Sequence, residues 1–476
     1  MKVSRLTLLA SWGVVLAVMA EGVYALLQLA GYAPRGHALY PATGTFYNPG
    51  PLCGFMAMGV VVAAWWLWRN DSRVRSWAAM ACLLVCAAVM PALMARTGWV
   101  AAALGVGVVW CGLNRGLLKR NLRKVAVGLG AVTVVAVVAA MGLYLLKPES
   151  AKGRLLLWKM GWRAMVSEGG AMGIGWHNVA GAIGRAQEAY FMSGAGSPGE
   201  IAVAGAPDYA FNEFLQVGIA YGWVGLAVML AVVMWVAVVS WRRGAYGITG
   251  ATVAFVVVCF GSYPLQFCEY FVMMALLMVG AIGSCRWSVW GKAIASLAAV
   301  GVCGAMGMWR FEIREQEREI IRQTQMLRYS PQMARSSARE VLDGRYGWSH
   351  RYLFEMGKAL RETGRLDESD SLLRKGMERS SDPMFLVLLG RNAHDRGDAT
   401  GAEQWLRRAE GRIPSRLYPR YLLALLYADS VGGCDTARAV AEAERALAMD
   451  DKVKSPATEE MRATLRELIK KAGESN

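Results

Sequence analysis

The sequence predicts an all-α protein in two parts: a polytopic transmembrane helical bundle of about nine spans, then a soluble domain of repeated helix pairs. Three observations carry this. Of the 476 residues, 55% are hydrophobic, above the roughly 45–50% of soluble globular chains. Long charge-poor runs fill residues 6–309, whereas the chain from Arg310 onward is rich in Arg, Glu and Asp, so two different solvents are implied. Glycines also recur at a fixed offset in the polar part. The domains read as 1–309, with a long outside loop at 147–210, and 310–476.

A transmembrane helix needs about 20 mostly apolar residues. Nine runs qualify: 6–29, 51–68, 77–94, 99–113, 125–146, 214–241, 248–265, 267–282 and 293–309. The first is longer than the apolar core of a cleaved signal peptide and carries Glu21, so it reads as a retained span. A carboxylate there implies function or a buried partner. Basic residues cluster at Lys2 and Arg5, at Arg69, Arg73 and Arg75, at Arg115 to Lys124, at Arg242 and Arg243, and at Arg286 and Lys292. All five clusters fall on one side if every run crosses once. The positive-inside bias makes that side the cytoplasm of a cell inner membrane, with the N-terminus cytoplasmic and the C-terminal domain periplasmic. The same bias accounts for the net charge of +16, so nucleic acid is not expected as a partner. Trp66, Trp68, Trp77, Trp99, Trp110, Trp241 and Trp309 sit at span ends, as an aromatic belt requires. Eight of the nine cysteines lie in or beside apolar runs and none forms a CxxC pair, so neither a disulfide framework nor a metal or other cofactor is expected.

In the polar part, Gly357 and Gly364 recur as Gly390 and Gly397, an offset of 33 residues. That is close to the roughly 34-residue tetratricopeptide (TPR) period, and a looser third unit follows over 421–450. Ala402 and Ala409 allow paired helices to approach closely. Such a TPR-like domain buries each unit on its neighbours and commonly binds a protein partner; a stabilising cap is the other reading.

The loop 147–210 is far longer than the other connections, and loops of that length are functional or disordered. Its twelve glycines between Gly153 and Gly205 argue against a simple packed domain. It opens with GRLLLWKMGWRAMV, an interfacial helix whose apolar face reads Leu155, Trp158, Trp162 and Met165, with Lys152, Lys159 and Arg163 opposite. Arg154 falls on the apolar flank, where a cation needs an anionic partner; a phosphate suits its fork. Arg96 stands alone in the outside turn 95–98. It either snorkels to headgroups or joins Arg154 on one anionic headgroup.

At these residues the chain resembles the O-antigen ligase and O-antigen polymerase superfamily, over roughly 20–285. ARTGWVAAALG (95–105) looks like the family's Arg-containing span start, and GRLLLWKMGW (153–162) like its Arg–x–x–x–Trp segment. GIGWHNVAG (173–181) looks like its Gly-rich loop, and TGTFYNPGPLCGF (43–55) like its earlier outside-loop signature. The most specific piece is FNEFLQVGIAYGWVGL (211–226), similar to the His–Asn–x–x–Leu–Gln stretch that opens the span after the long loop. The resemblance implies a metal-independent glycosyltransferase. It would move a glycan from an undecaprenyl-diphosphate carrier to an acceptor on the periplasmic face: a lipid core sugar, a second carrier-linked glycan, or Ser or Thr of a protein. Arg96 and Arg154 would hold the diphosphate. Two positions depart from the pattern: Phe211 stands where many members have His, and Ala220 where a glutamate is common. Glu213 is the nearest carboxylate that could serve as base, with Asp208 and His177 as alternatives. Glu213 also reads as a carboxylate favoured by its helix N-terminus. Asn212, Gln216, His177 and Lys159 complete the substrate-binding candidates. The family also places more spans ahead of its first motif than the single one here. A non-catalytic scaffold displaying the repeats is the competing reading. A transporter would need a discontinuous-helix pair or paired intramembrane charges, and neither is read from the sequence.

Overall fold

The computed structural model describes residues 3–120, 148–450 and 455–474, and among them every regular element is helical. Two compact units result: Met1–Leu143 with Phe211–Phe214 and Leu226–Arg314, and Tyr144–Ala210 with Leu215–Gly225 and Glu315–Asn476.

The first unit is built from α1 (Arg5–Leu29), α2 (Pro49–Arg69), α3 (Arg73–Leu93), α4 (Arg96–Leu113), the short α5 (Arg115–Arg120), most of α9 (Glu213–Arg242), α10 (Tyr246–Gly261), α11 (Cys268–Ser284) and the first part of α12 (Val289–Tyr329), numbered in chain order. Six described helices are long and apolar enough to cross a membrane, namely α1–α4, α9 and α12, and the chain is a membrane protein on that ground. Helices α10 and α11 are apolar but shorter. The expected run 125–146 lies outside the described residues. Helix α2 is the hub: 78% of its most apolar stretch is buried in the protein, against 11–39% in the other five, whose remaining surface suits lipid. Small residues permit this. Gly105 of α4 and Gly250 of α10 cross so closely that a Cβ on either would lie 2.7 and 2.5 Å from the other's carbonyl oxygen, the close approach that membrane helices favour. The segment between α1 and α2 is tied down by Gln28, which is 1% exposed. Its Oε1 accepts from the amides of Thr43 and Gly44, and its Nε2 donates to the carbonyls of Pro34 and Gly44, so the whole amide is satisfied.

The second unit overturns the expectation of a loose glycine-rich loop. Residues 148–203 form α6 (Pro148–Ala164), a π-helical turn (Met165–Gly169), α7 (Val179–Met192) and α8 (Pro198–Val203). Beyond α13 (Ala338–Asp343), three helix pairs follow: α14 (His350–Glu362) with α15 (Leu366–Arg379), α16 (Met384–Asp395) with α17 (Ala399–Arg412), and α18 (Leu417–Ala428) with α19 (Thr436–Leu447); α20 (Pro456–Glu474) closes the series. The repeated glycines play repeated roles. Gly364 and Gly397 turn the chain at φ +79° and +78°, and Gly357 and Gly390 let Leu373 and Leu406 pack against bare backbone. Helix α7 docks on α15 and α17. A Cβ on Gly181 would stand 1.8 Å from the Glu378 carbonyl oxygen, so this glycine serves contact. Glu188 of α7 receives Arg412 at 2.9 Å and Arg408 at 2.6 Å, and Gln187 donates to the Arg412 carbonyl. The glycines of this segment mark close packing, a use that composition does not separate from flexibility.

One pair in the repeat region predicts a pH dependence. His394 Nε2 lies 2.5 Å from an Asp429 carboxylate oxygen, which raises the imidazole pKa above its usual 6.5. A raised folded-state pKa stabilises most below the unfolded pKa near 6.5, and that contribution is lost as pH rises through the folded value. The stability difference between the full chain and His394→Gln is therefore expected to be at most about 1 kcal/mol below pH 6.5, shrinking as pH rises. Thermal unfolding in detergent at several pH values checks this; a difference that does not change with pH would sink it.

Candidate functional site

The segment FNEFLQVGIAYGWVGL builds a broken helix. Helix α9 is interrupted at Gly222, whose φ of 67° and ψ of −168° occur in practice only for glycine. The break reroutes backbone hydrogen bonds. The amides of Trp223 and Val224 donate to the carbonyls of Gly170 and Ala171 instead of continuing the α ladder. The carbonyls of Ile219 and Ala220, left without those donors, accept from the amides of Ile174 and Gly175. The exchange is reciprocal, and it repairs a helix that would otherwise leave buried polar groups unmet at the entry to an apolar segment. Gly173 makes it possible: at φ +79°, a Cβ there would stand 2.3 Å from the Ala220 carbonyl, and one on Gly222 would stand 2.2 Å from the Ala171 oxygen. The Gly-rich loop and the span-opening segment are thus two halves of one backbone structure. The discontinuous helix is not visible in the sequence, because a single Gly inside an apolar run has no distinguishing pattern.

Just before the break, Phe211 has φ +49°, a conformation rare for a bulky residue. Its ring meets Tyr263 edge-on at 4.9 Å. Asn212, 5% exposed, accepts the Phe214 amide on Oδ1 and so caps the start of α9. Glu213 is fully buried; its Oε1 accepts the Leu265 amide at 2.8 Å, and Oε2 meets no hydrogen-bond donor among the described residues. The charge of buried Arg310 acts on it. In this arrangement Glu213 latches the turn between α10 and α11.

A second polar group, half-buried, lies in the same unit. Arg314 grips Glu269 with two bonds of 2.8 and 3.0 Å. Thr45 Oγ1 lies 2.9 Å from Glu269 and 2.8 Å from Glu21, whose other oxygen accepts the Thr45 amide. Glu21 therefore has a hydrogen-bonding partner, but that partner, Thr45, is exposed and not buried as its position in the run implied. Charge pairing near the span ends, which the sequence did not reveal, exists here. Arg310 and Arg314 stand just past Trp309, where basic residues read as ordinary span boundaries, so their role was masked. Two carboxylates in apolar runs, Glu21 and Glu269, were the available signal.

The remaining candidates lie as follows. Arg96 is exposed as the first residue of α4. Arg154 is exposed on α6. Lys159 donates to Glu200 at 2.7 Å and to the Tyr190 hydroxyl at 2.6 Å. That ammonium holds the Glu200 carboxyl down at about 2, so Lys159 is engaged in joining α6 to α7 and α8. His177 packs its ring on Trp348 at 4.8 Å, and Gln216 Oε1 accepts the Ala210 amide. Asp208 lies 3.6 Å from His350. Asn212, Glu213 and Arg96 belong to the first unit, and Arg154, Lys159, His177 and Gln216 to the second. Among the described residues no group of three or more His, Cys, Asp or Glu side chains could hold a metal ion. Comparison of the chain with family models, curated proteins and solved structures finds no match.

Proposed function

We propose that the chain is an inner-membrane glycosyltransferase of the O-antigen ligase type, moving a glycan from an undecaprenyl-diphosphate carrier to an acceptor on the periplasmic face. The observation that carries the reading is the order of five family-like segments along the chain, two of which, GIGWHNVAG and FNEFLQVGIAYGWVGL, meet in the backbone exchange at Gly222. Nine spans, a cytoplasmic N-terminus and a periplasmic TPR-like region belong to this reading; the five one-sided basic clusters support it. In the reaction an acceptor hydroxyl oxygen attacks the anomeric carbon, the carbon–oxygen bond to the diphosphate breaks, and the diphosphate leaves with the electron pair. The hydroxyl proton passes to a carboxylate or to the departing diphosphate. Positive charge on the leaving group is the main requirement, and Arg96 and Arg154 are assigned to supply it. The acceptor is a lipid core sugar, a glycan or a protein, and the repeats suit a protein acceptor or assembly partner.

The second reading, a non-catalytic scaffold, is favoured by Phe211 in the family's histidine position and by the enclosure of Glu213. Arginine-to-lysine variants separate the two. Lys keeps the charge but loses the bidentate fork, and each charge-assisted bond to phosphate is worth about 1.5–3 kcal/mol, so Arg96→Lys and Arg154→Lys are each expected to slow transfer by roughly 10–100-fold. Glycan transfer in membranes holding equal amounts of each protein is the assay. Full activity in both variants, or no transfer by the wild type, leaves the scaffold reading standing.

A further inference from the structure

Helix α6 is apolar on two faces, and only one is covered. Leu156, Leu157, Met160 and Ala164 are buried within the second unit. Met165, expected on the outward face, is buried with them. Leu155 and Trp162 on α6, and Val166 in the π-helical turn that continues it, are 57%, 53% and 58% exposed, although the opposite side of α6 is well packed. The exposed stripe continues onto a second element: Trp162 meets Trp223 edge-on at 6.1 Å, and Trp223 and Val224 are themselves exposed. Trp223 is the first residue after the break in α9 and opens its long apolar half, a stretch with mean hydropathy 2.4 and only 11% burial. Trp223 therefore begins the apolar stretch of α9, and Trp162 lies beside it. Lys152, Arg154 and Arg163, all exposed, give α6 the cations that anionic headgroups attract.

We infer that α6 lies in the membrane interface, with Leu155, Trp162 and Val166 inserted among phospholipids beside Trp223, and so moors the second unit to the bilayer surface. Its occupant is lipid: the stripe is continuous with a lipid-facing span, carries two tryptophans of the kind that settle at headgroup depth, and is bordered by positive charge. The inference does not depend on catalysis. A photo-crosslinking amino acid is placed singly at Leu155, Trp162, Val166 and, as control, at exposed Thr400 in the full chain. Each protein is reconstituted into vesicles of phosphatidylethanolamine and phosphatidylglycerol, irradiated and analysed by mass spectrometry. Phospholipid adducts at Leu155, Trp162 and Val166 should exceed those at Thr400 several-fold. Adduct levels equal to the Thr400 control would overturn the inference, as would adducts to a second copy of the chain in place of lipid. Each position is exposed, so the label does not disturb packing.

Discussion

Gly222→Ala is expected to destabilise the protein by roughly 2–6 kcal/mol, combining about 1–3 kcal/mol for a glycine-only backbone conformation with about 1–3 kcal/mol for forced overpacking. The added methyl would meet the Ala171 carbonyl, 2.2 Å from its oxygen, and relief would separate the two segments that exchange four backbone hydrogen bonds. Gly173→Ala, facing Ala220 across the same junction, should cost a similar amount. The double variant should cost less than the sum, because both disrupt one structure. Gly199→Ala is the matched control: it lies in α8 with open space around it and should be near neutral. Unfolding of the purified full chain in detergent measures all four. Costs below about 0.5 kcal/mol for both junction variants would show that the break in α9 is not held by this exchange. The junction joins two family-like segments, so these variants should also lose whatever activity the chain has, and lose it while still inserting in the membrane.

Glu188→Ala has the second large expected effect. The change leaves the Arg412 guanidinium, whose side chain is 0% exposed, without its carboxylate, and an uncompensated buried charge costs about 3–5 kcal/mol. Arg412 also donates to the Ser380 carbonyl, and Gln187 to the carbonyl of Arg412, so the damage falls on the seam between α7 and the helix pairs. Limited proteolysis within 148–210 should become faster. Replacing both partners, Glu188→Leu with Arg412→Met, should recover most of the stability, since a well-packed apolar pair can substitute for a buried ion pair. If the single variant resists protease like the wild type, α7 is not held on α15 and α17 by this pair. The seam also changes what the repeats are for. Part of their surface already binds a segment of the same chain, so bracing the loop is a task they perform whether or not they recruit another protein.

Much was legible without coordinates. Eight of the nine apolar runs coincide with described helices, because the requirement for about 20 apolar residues is written locally. The offset between Gly357 and Gly390 was readable for the same reason: each packs its own partner helix a short distance along the chain, Leu373 in one case and Leu406 in the other. Gly364 and Gly397 share that offset, but their use as turns at φ +79° and +78° appears only in the structure.

What tertiary structure alone decided involves groups far apart in sequence, or residue types with two uses. Glycine serves both flexibility and contact, and only the approach of Glu378 to Gly181 shows that contact is its use in the long loop. An α6 apolar on both sides offers periodicity no means of choosing, so only the fold decides that Met165 is buried while Leu155 and Trp162 are exposed. Glu21 and Glu269 were visible as carboxylates in apolar runs, but that they share Thr45 and that Arg314 neutralises one of them depends on three separate stretches of chain converging. Local sequence records what each residue prefers. It does not record which distant group satisfies a buried charge or an opened helix carbonyl, because that partner is chosen by the fold as a whole.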